Sequence, residues 1–459
     1  MLALAIIRIA HTIAAACLAG IAAFALQPAN AHQPAASKAS ADRYTIIRCG
    51  HILAVPGKPA QDNATIIVRN GLIDRITDGL TGPDLSAAKQ AGATVDEIDL
   101  KSSYVLPGLI DCHVHITFEF TADARLRAVT ESDATAALRG VAFARKTIEA
   151  GFTTVRDVGS SGEVCFALRD AIERRDVVGP RILAAGEAIS VTGGHGDGSN
   201  GYRPDLFGVP GAEKGVADGP DECRKAVRYQ IKLGADCIKL TATGGVLSAS
   251  TAGLRQHFFD DELKAVIDTA HSMGRKVAAH AHGLDGINAA LRAGVDSIEH
   301  GTYLDDTSVA LFKEHKAFLV PTLLAGFTVA KNAEIPGYYL PMVANKAKIV
   351  GPKMLDMFKR AHEGGVKIAF GTDTGVSPHG ENAQEFALMV KGGMTPSEAI
   401  IAATITASDL CGLSAQIGTL EAGKFADIIA VAADPTKDVT ELERVRFVMK
   451  SGTVYKNAR

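Results

Sequence analysis

The chain has 459 residues, 47% hydrophobic and 22% charged, with a formal charge of −3. That balance suits a globular protein with a large buried core, and the lack of a basic excess argues against nucleic acid as a partner. Seven scattered cysteines with no CxxC pair exclude a disulfide scaffold, and the length suits one large α/β domain with a small companion.

Residues 1–31 carry one charge, Arg8, ahead of a long Ala/Leu/Ile-rich stretch, and close on Ala29-Asn30-Ala31, the small-x-small pattern of a signal-peptide cleavage site. The apolar run is near the lower limit for spanning a bilayer. A removable leader is expected, with delivery to the periplasm or the medium and no stable membrane anchor after cleavage. Residues 32–42, mostly Ala, Ser, Gln and Pro, read as a flexible leader. Alternating segments at 44–48 and 65–68, the hairpin dipeptide Asn70-Gly71 and the run 72–76 predict a small antiparallel β region.

Beyond Tyr104 apolar strand-like runs alternate with longer amphipathic segments. The strand-like runs are 104–109, 153–158, 181–185, 237–241, 276–279, 296–299, 318–321 and 367–370. Eight parallel strands separated by helices predict a closed (β/α)8 TIM barrel over 104–412. Helical patterns follow at 383–390 and 396–407, and β signals return at 426–431 and 445–450. The expected architecture therefore joins 43–103 and 413–459 in a β-sandwich built from both chain ends.

Of fourteen histidines, six (His113, His115, His195, His280, His282 and His300) fall at or just beyond the C-terminal ends of expected strands, the barrel face on which active sites are built. In His113-Val114-His115 and His280-Ala281-His282 the two-residue spacing turns both imidazoles of each pair to one side. His300 closes the sixth strand, so three strands supply nitrogen ligands. Asp373, after the eighth, can bind a metal and accept a proton from metal-bound water. By the same alternation Cys112 faces away and has no chemical role. Lys239 stands in Cys237-Ile238-Lys239-Leu240, a strand made for burial, where an unpaired ammonium is costly. Pairing with a carboxylate and reaction with carbon dioxide to a metal-bridging carbamate both answer that cost.

The run Pro107-Gly108-Leu109-Ile110-Asp111-x-His113-x-His115, together with Lys239, His280, His300 and Asp373 in this order, resembles the amidohydrolase superfamily over nearly the whole mature chain. The closing segment from Gly418 to Ile428 is similar to that family's return into its β domain. Gly193-Gly194-His195-Gly196, His280-Ala281-His282-Gly283 and Glu299-His300-Gly301-Thr302 resemble the imidazolonepropionase-like branch, which includes Xaa-Pro and Xaa-Arg dipeptidases and ochratoxin-hydrolysing amidohydrolases.

The resemblance implies two divalent metals, zinc by family habit. It assigns His113, His115 and Asp373 to one metal, His280 and His300 to the other, and an N6-carboxylated Lys239 as the bridge. Asp373 then moves the proton from water to the departing nitrogen, and His195, His282 and Tyr229 are candidates to hold the substrate. The implied substrate is a small amide bearing an amino-acid carboxylate, such as a dipeptide, an N-acyl amino acid or ochratoxin A. Two other readings stand beside it: opening of a cyclic amide as in imidazolonepropionase, against which Lys239 counts, and a non-catalytic barrel acting as an interaction protein. Assembly into a homo-oligomer, up to an octamer, follows from resemblance alone. The Gly- and Asp-rich insert 195–220 is the expected lid.

Overall fold

The computed structural model describes residues 41–250 and 252–458, so the expected signal peptide and nearly all of the leader lie outside the described residues. The first strands are β1 (Arg43–Ile52), β2 (Gln61–Arg69) and β3 (Leu72–Asp78), joined in antiparallel hairpin pairing. Asn70 and Gly71 both have positive φ, 52° and 86°, as a two-residue turn matched to strand twist requires.

Next, β4 (Thr94–Pro107) runs parallel to β1 and then pairs antiparallel with a C-terminal strand, Tyr104–Pro107 opposite Ile428–Val431. The run 104–109 is therefore not the single strand opening the parallel set that its apolar composition suggested. Its first four residues end a long strand whose partner arrives some 320 residues later in the chain, and Leu109 begins the next strand. Gly108 makes the break: its N–H donates to Asp427 O, and a Cβ there would lie 2.3 Å from Thr153 Oγ1.

The parallel strands follow as β5 (Leu109–Val114), β6 (Phe152–Asp157) and β7 (Arg181–Ala184) in one sheet. A second sheet holds β8 (Ile238–Thr241), β9 (Val277–Ala281), β10 (Ser297–His300), β11 (Phe318–Val320) and β12 (Lys367–Ile368). Backbone hydrogen bonds join the two sheets at both edges. Ile189 N donates to Lys239 O and Thr241 N to Ile189 O on one side; Cys112 N donates to Phe370 O and Asp373 N to His113 O on the other.

The longer intervening helices bury a stripe of residues. In Asp133–Glu149 the buried residues Gly140, Phe143, Ala144, Thr147 and Ile148 follow the spacing of a helix lying on a sheet. Ser132 caps its start by accepting from Thr135 N.

The chain closes with β13 (Ile428–Val431), β14 (Phe447–Lys450) and β15 (Thr453–Asn457), giving one seven-stranded sheet in the order β15-β14-β13-β4-β1-β2-β3. The described segments 43–107 and 428–457 meet in a single hydrogen-bonded sheet and not in the expected sandwich, because β4 is long enough to pair with β1 and β13 at once. Side-chain alternation splits its apolar residues: Val105, Ile428 and Ala430 join the sheet's own cluster, while Leu106, Ile429 and Val431 join the large core.

Candidate metal centre

Five strands of the parallel set carry the candidate ligands, in the strands or just beyond their C-terminal ends. His113 lies in β5 and His115 one residue past it, Lys239 is in β8, His280 in β9 and His282 just past it, and His300 ends β10; Asp373 follows β12. His300 and Asp373 have φ of 71° and 57°, left-handed values that non-glycine residues adopt rarely and that concentrate at functional sites. Close passage of the last loop depends on Gly371, where a Cβ would come within 3.1 Å of the His113 backbone N.

These residues form two adjacent groups. The ligand atoms of His113, His115 and Asp373 lie within 4.8 Å of one another, as do those of His280, His282 and His300. The His113 and His300 rings, 5.2 Å apart, connect the groups.

The tautomers in the first group follow from its partners. His115 Nδ1 donates to Gly159 O at 2.6 Å, and His113 Nδ1 lies 2.8 Å from Glu299 Oε2. Burial would push the Glu299 carboxyl up, but Arg156 and His113 more than offset it and hold it at about 2, so His113 Nδ1 is the donor there. Both Nε2 atoms are left aimed at Asp373 Oδ1, at 3.4 and 3.1 Å. Neither makes a hydrogen bond to it, and this oxygen is buried without a hydrogen-bond partner among the described residues. Three electron-pair donors converging on one buried point is a set that a divalent cation satisfies.

Outer contacts fix the same atoms. Glu299 is clamped by Arg156 Nη2 at 2.9 Å and Ser297 Oγ at 2.6 Å, while Arg156 Nε donates to Cys112 O. Asp111 accepts from His113 N, Thr372 Oγ1 and Asn382 Nδ2, tying β5 to the loop that carries Asp373. In the second group Thr302 Oγ1 lies 2.7 Å from His282 Nδ1 and Thr322 Oγ1 lies 2.7 Å from His300 Nδ1. Such partners orient a ligating imidazole and raise its basicity. Glu299 and Arg156 escaped the sequence reading, although each is a charged residue inside a strand made for burial, the signal that singled out Lys239.

Lys239 is buried and makes no ion pair or side-chain hydrogen bond among the described residues; burial lowers its ammonium to about 8. His195 lies against His280 with ring centroids 4.2 Å apart and the rings tilted by 30°, and burial first, then the neighbouring His282 and Lys239, bring it down to about 3, so it is neutral. His195 and His282 both line the cavity above the ligands. Tyr229 does not. It sits half-buried on the helix Pro220–Leu233 beside Lys232, because ten residues before Lys239 the chain is still in the helix that precedes β8. Cys112 faces away as alternation required, its Sγ 3.9 Å from Cys411 Sγ. The six cysteines among the described residues are unbonded. Of the expected lid, residues 195–198, Asn200 and Tyr202 reach the cavity.

The amidohydrolase family profile matches residues 104–455. The chain belongs to the amidohydrolase family. A curated relative, ochratoxinase of Aspergillus niger, is 34% identical over 438 residues, covering 90% of this chain and 87% of that protein. A solved Xaa-Pro dipeptidase with bound methionine in its active site is 41% identical, with a TM-score of 0.85, covering 90% of this chain and all of that one. Imidazolonepropionase of Pseudomonas fluorescens is 28% identical over 377 residues, 74% of this chain and 82% of that protein. This member of the family is a hydrolase acting on amide bonds, which removes the non-catalytic reading.

Proposed function

We propose that this amidohydrolase is a binuclear zinc enzyme on a (β/α)8 barrel, cleaving an amide bond to an amino acid that bears a free carboxylate. His113, His115 and Asp373 would hold one ion, His280 and His300 the other, with Lys239 as an N6-carboxylate between them. The ions would supply a water of lowered pKa and a Lewis acid for the scissile carbonyl. Asp373 takes a proton from the attacking water and passes it to the leaving nitrogen. His282 and His195 face the substrate, and the neutral His195 offers a hydrogen bond without competing for metal charge.

The observation that carries this reading is the unpartnered Asp373 Oδ1 facing two imidazole nitrogens whose other nitrogens are already engaged. Support for the substrate class comes from the ochratoxinase and Xaa-Pro dipeptidase relatives. Support for a carboxylated Lys239 is its burial without an ion pair among the described residues. We further propose export by the leader 1–31 and assembly as a homo-oligomer.

The test is metal content per purified mature chain, alongside hydrolysis of Xaa-Pro and Xaa-Arg dipeptides, N-acyl-phenylalanines and ochratoxin A. Two metals with cleavage of a carboxylate-bearing amide is the expected result. One metal with activity only on a cyclic amide overturns it in favour of imidazolonepropionase-type chemistry.

A further inference from the structure

The cavity above the ligand groups has a volume of about 530 Å³ and is walled mainly by apolar side chains, among them Phe118, Val246, Leu247, Val329 and Met354. Among the described lining residues Arg125 is the one permanent cation, since Lys239, its ammonium lowered to about 8, is the proposed carboxylated lysine. Arg125 stands on the helix Ala124–Thr130.

The Arg125 guanidinium is held in place by neutral groups. Its Cζ lies 4.2 Å from the centroid of the Tyr202 ring, and its Nη2 and Nη1 donate to Gly201 O at 2.7 Å and Asn200 O at 3.4 Å. It makes no ion pair among the described residues, whereas Arg127, on the same helix, pairs with Asp123. The lining carboxylates are otherwise engaged. Asp197 accepts from Gly193 N, Ser199 N and Ser199 Oγ, Glu187 accepts from Gly162 N, and Asp373 belongs to the ligand group. A guanidinium has five N–H donors in a planar fork. With two directed at carbonyls, the rest remain for an anion entering from the cavity.

We infer that Arg125 determines specificity by pairing with the free carboxylate of the substrate, whose apolar side chain fills the wall formed by Phe118, Val246, Leu247 and Met354. This rests on the proposed amidase reading and narrows it: an amino acid with an apolar side chain, its carboxylate directed to Arg125 and its acyl amide to the ligand groups. Low-dielectric walls strengthen the attraction for an anion, and carboxylate geometry matches the fork.

The experiment compares N-benzoyl-L-phenylalanine with N-benzoylphenethylamine, the same amide without the carboxylate, on metal-loaded wild type, Arg125→Met and Arg125→Lys, with metal content and circular dichroism as folding controls. Wild type is expected to prefer the acid, and Arg125→Met to lose roughly tenfold to a hundredfold of that preference, chiefly through KM, as for loss of one charge-assisted hydrogen-bonded pair. Arg125→Lys should fall between them. An unchanged preference in Arg125→Met overturns the inference and leaves the proposed function standing. A wild type that cleaves the phenethylamide as well as the acid overturns the carboxylate requirement itself. Cleavage of neither compound by the metal-loaded wild type overturns the N-acyl amino acid reading and this inference with it.

Discussion

The two ligand groups are neighbours but are built from different chemistry. His113 and His115 are oriented by an ionised carboxylate and a backbone carbonyl, and they share their point of convergence with Asp373. His280, His282 and His300 contain no carboxylate, and two of them are oriented by threonine hydroxyls. Their acid–base character differs accordingly. Burial would lower His115, but Asp373 more than offsets it and raises it; burial and mutual repulsion hold His280 well below its usual range. The first group supplies its own negative charge for a cation. The second borrows it, and the side chain placed to provide it is Lys239 once carboxylated.

The largest expected effect comes from making the first group resemble the second. Asp373→Asn removes the only carboxylate from either group while keeping its shape. Turnover should fall by about a hundredfold to ten-thousandfold, the range for loss of a positioned acid–base group, with the fold intact by circular dichroism. Turnover within twofold of wild type would sink the proton-transfer role and the asymmetry with it.

Glu299→Gln attacks the first group from behind. It removes the charge beneath His113 and leaves Arg156, also fully buried, without its counter-ion. Breaking such a pair costs about 3–5 kcal/mol, and losing an orienting partner weakens metal affinity roughly tenfold to a hundredfold. Denaturant midpoints and metal titration measure the two separately. A loss of stability with unchanged affinity would make Glu299 a structural counter-ion only.

Most of the parallel set and the two clustered groups of histidines with Asp373 were legible because their signals are local, whereas a ligand role for Lys239 came from the family resemblance alone. Apolar runs of four to eight residues and His-x-His spacing need no knowledge of the fold. The errors arose where two distant segments decide the outcome. Nothing within Tyr104–Leu109 distinguishes a strand that pairs with β13 from one that starts the parallel set, since both are apolar and bounded by Pro-Gly. Tyr229 was placed at the site by its distance in sequence from Lys239, yet the direction of a helix, not separation, decides what faces a cavity. The contacts that fix the imidazoles, Glu299 to His113 and Thr322 to His300, span 186 and 22 residues and leave no periodic trace.

Glu385 links the second group to pH. Its two carboxyl oxygens accept from Leu323 N and Leu324 N, the residues next to Thr322, and burial pushes it up to about 8 against partial opposition from those amides. A carboxyl whose folded pKa is raised holds its proton longer in the folded state, so its contribution to stability is complete below about pH 4.5 and is lost as pH rises toward 8. Glu385→Gln should flatten the fall in stability across that window, by an amount on the order of 5 kcal/mol. Melting curves at intervals from pH 5 to pH 8 test it; parallel profiles for variant and wild type would show that Glu385 is not the titrating group.

The finest test of the comparison exchanges a hydroxyl for a methyl at Thr322. Thr322 itself has a positive φ of 51° and stands at the start of the helix Leu323–Asn332, so its Oγ1 is fixed by backbone geometry when it meets His300 Nδ1. Thr322→Val keeps shape and branching but leaves that nitrogen without its buried partner, a penalty of about 1–3 kcal/mol in the apo protein. Metal affinity of the second group should fall by no more than about tenfold, less than for Glu299→Gln in the first, since a neutral hydroxyl raises basicity less than an ionised carboxylate does. The readout is metal stoichiometry during stepwise dialysis against a chelator, with one ion leaving the variant early and the other at the wild-type concentration. Simultaneous loss of both ions would mean that the two groups act as one site, and that the difference in their outer partners does not set metal affinity.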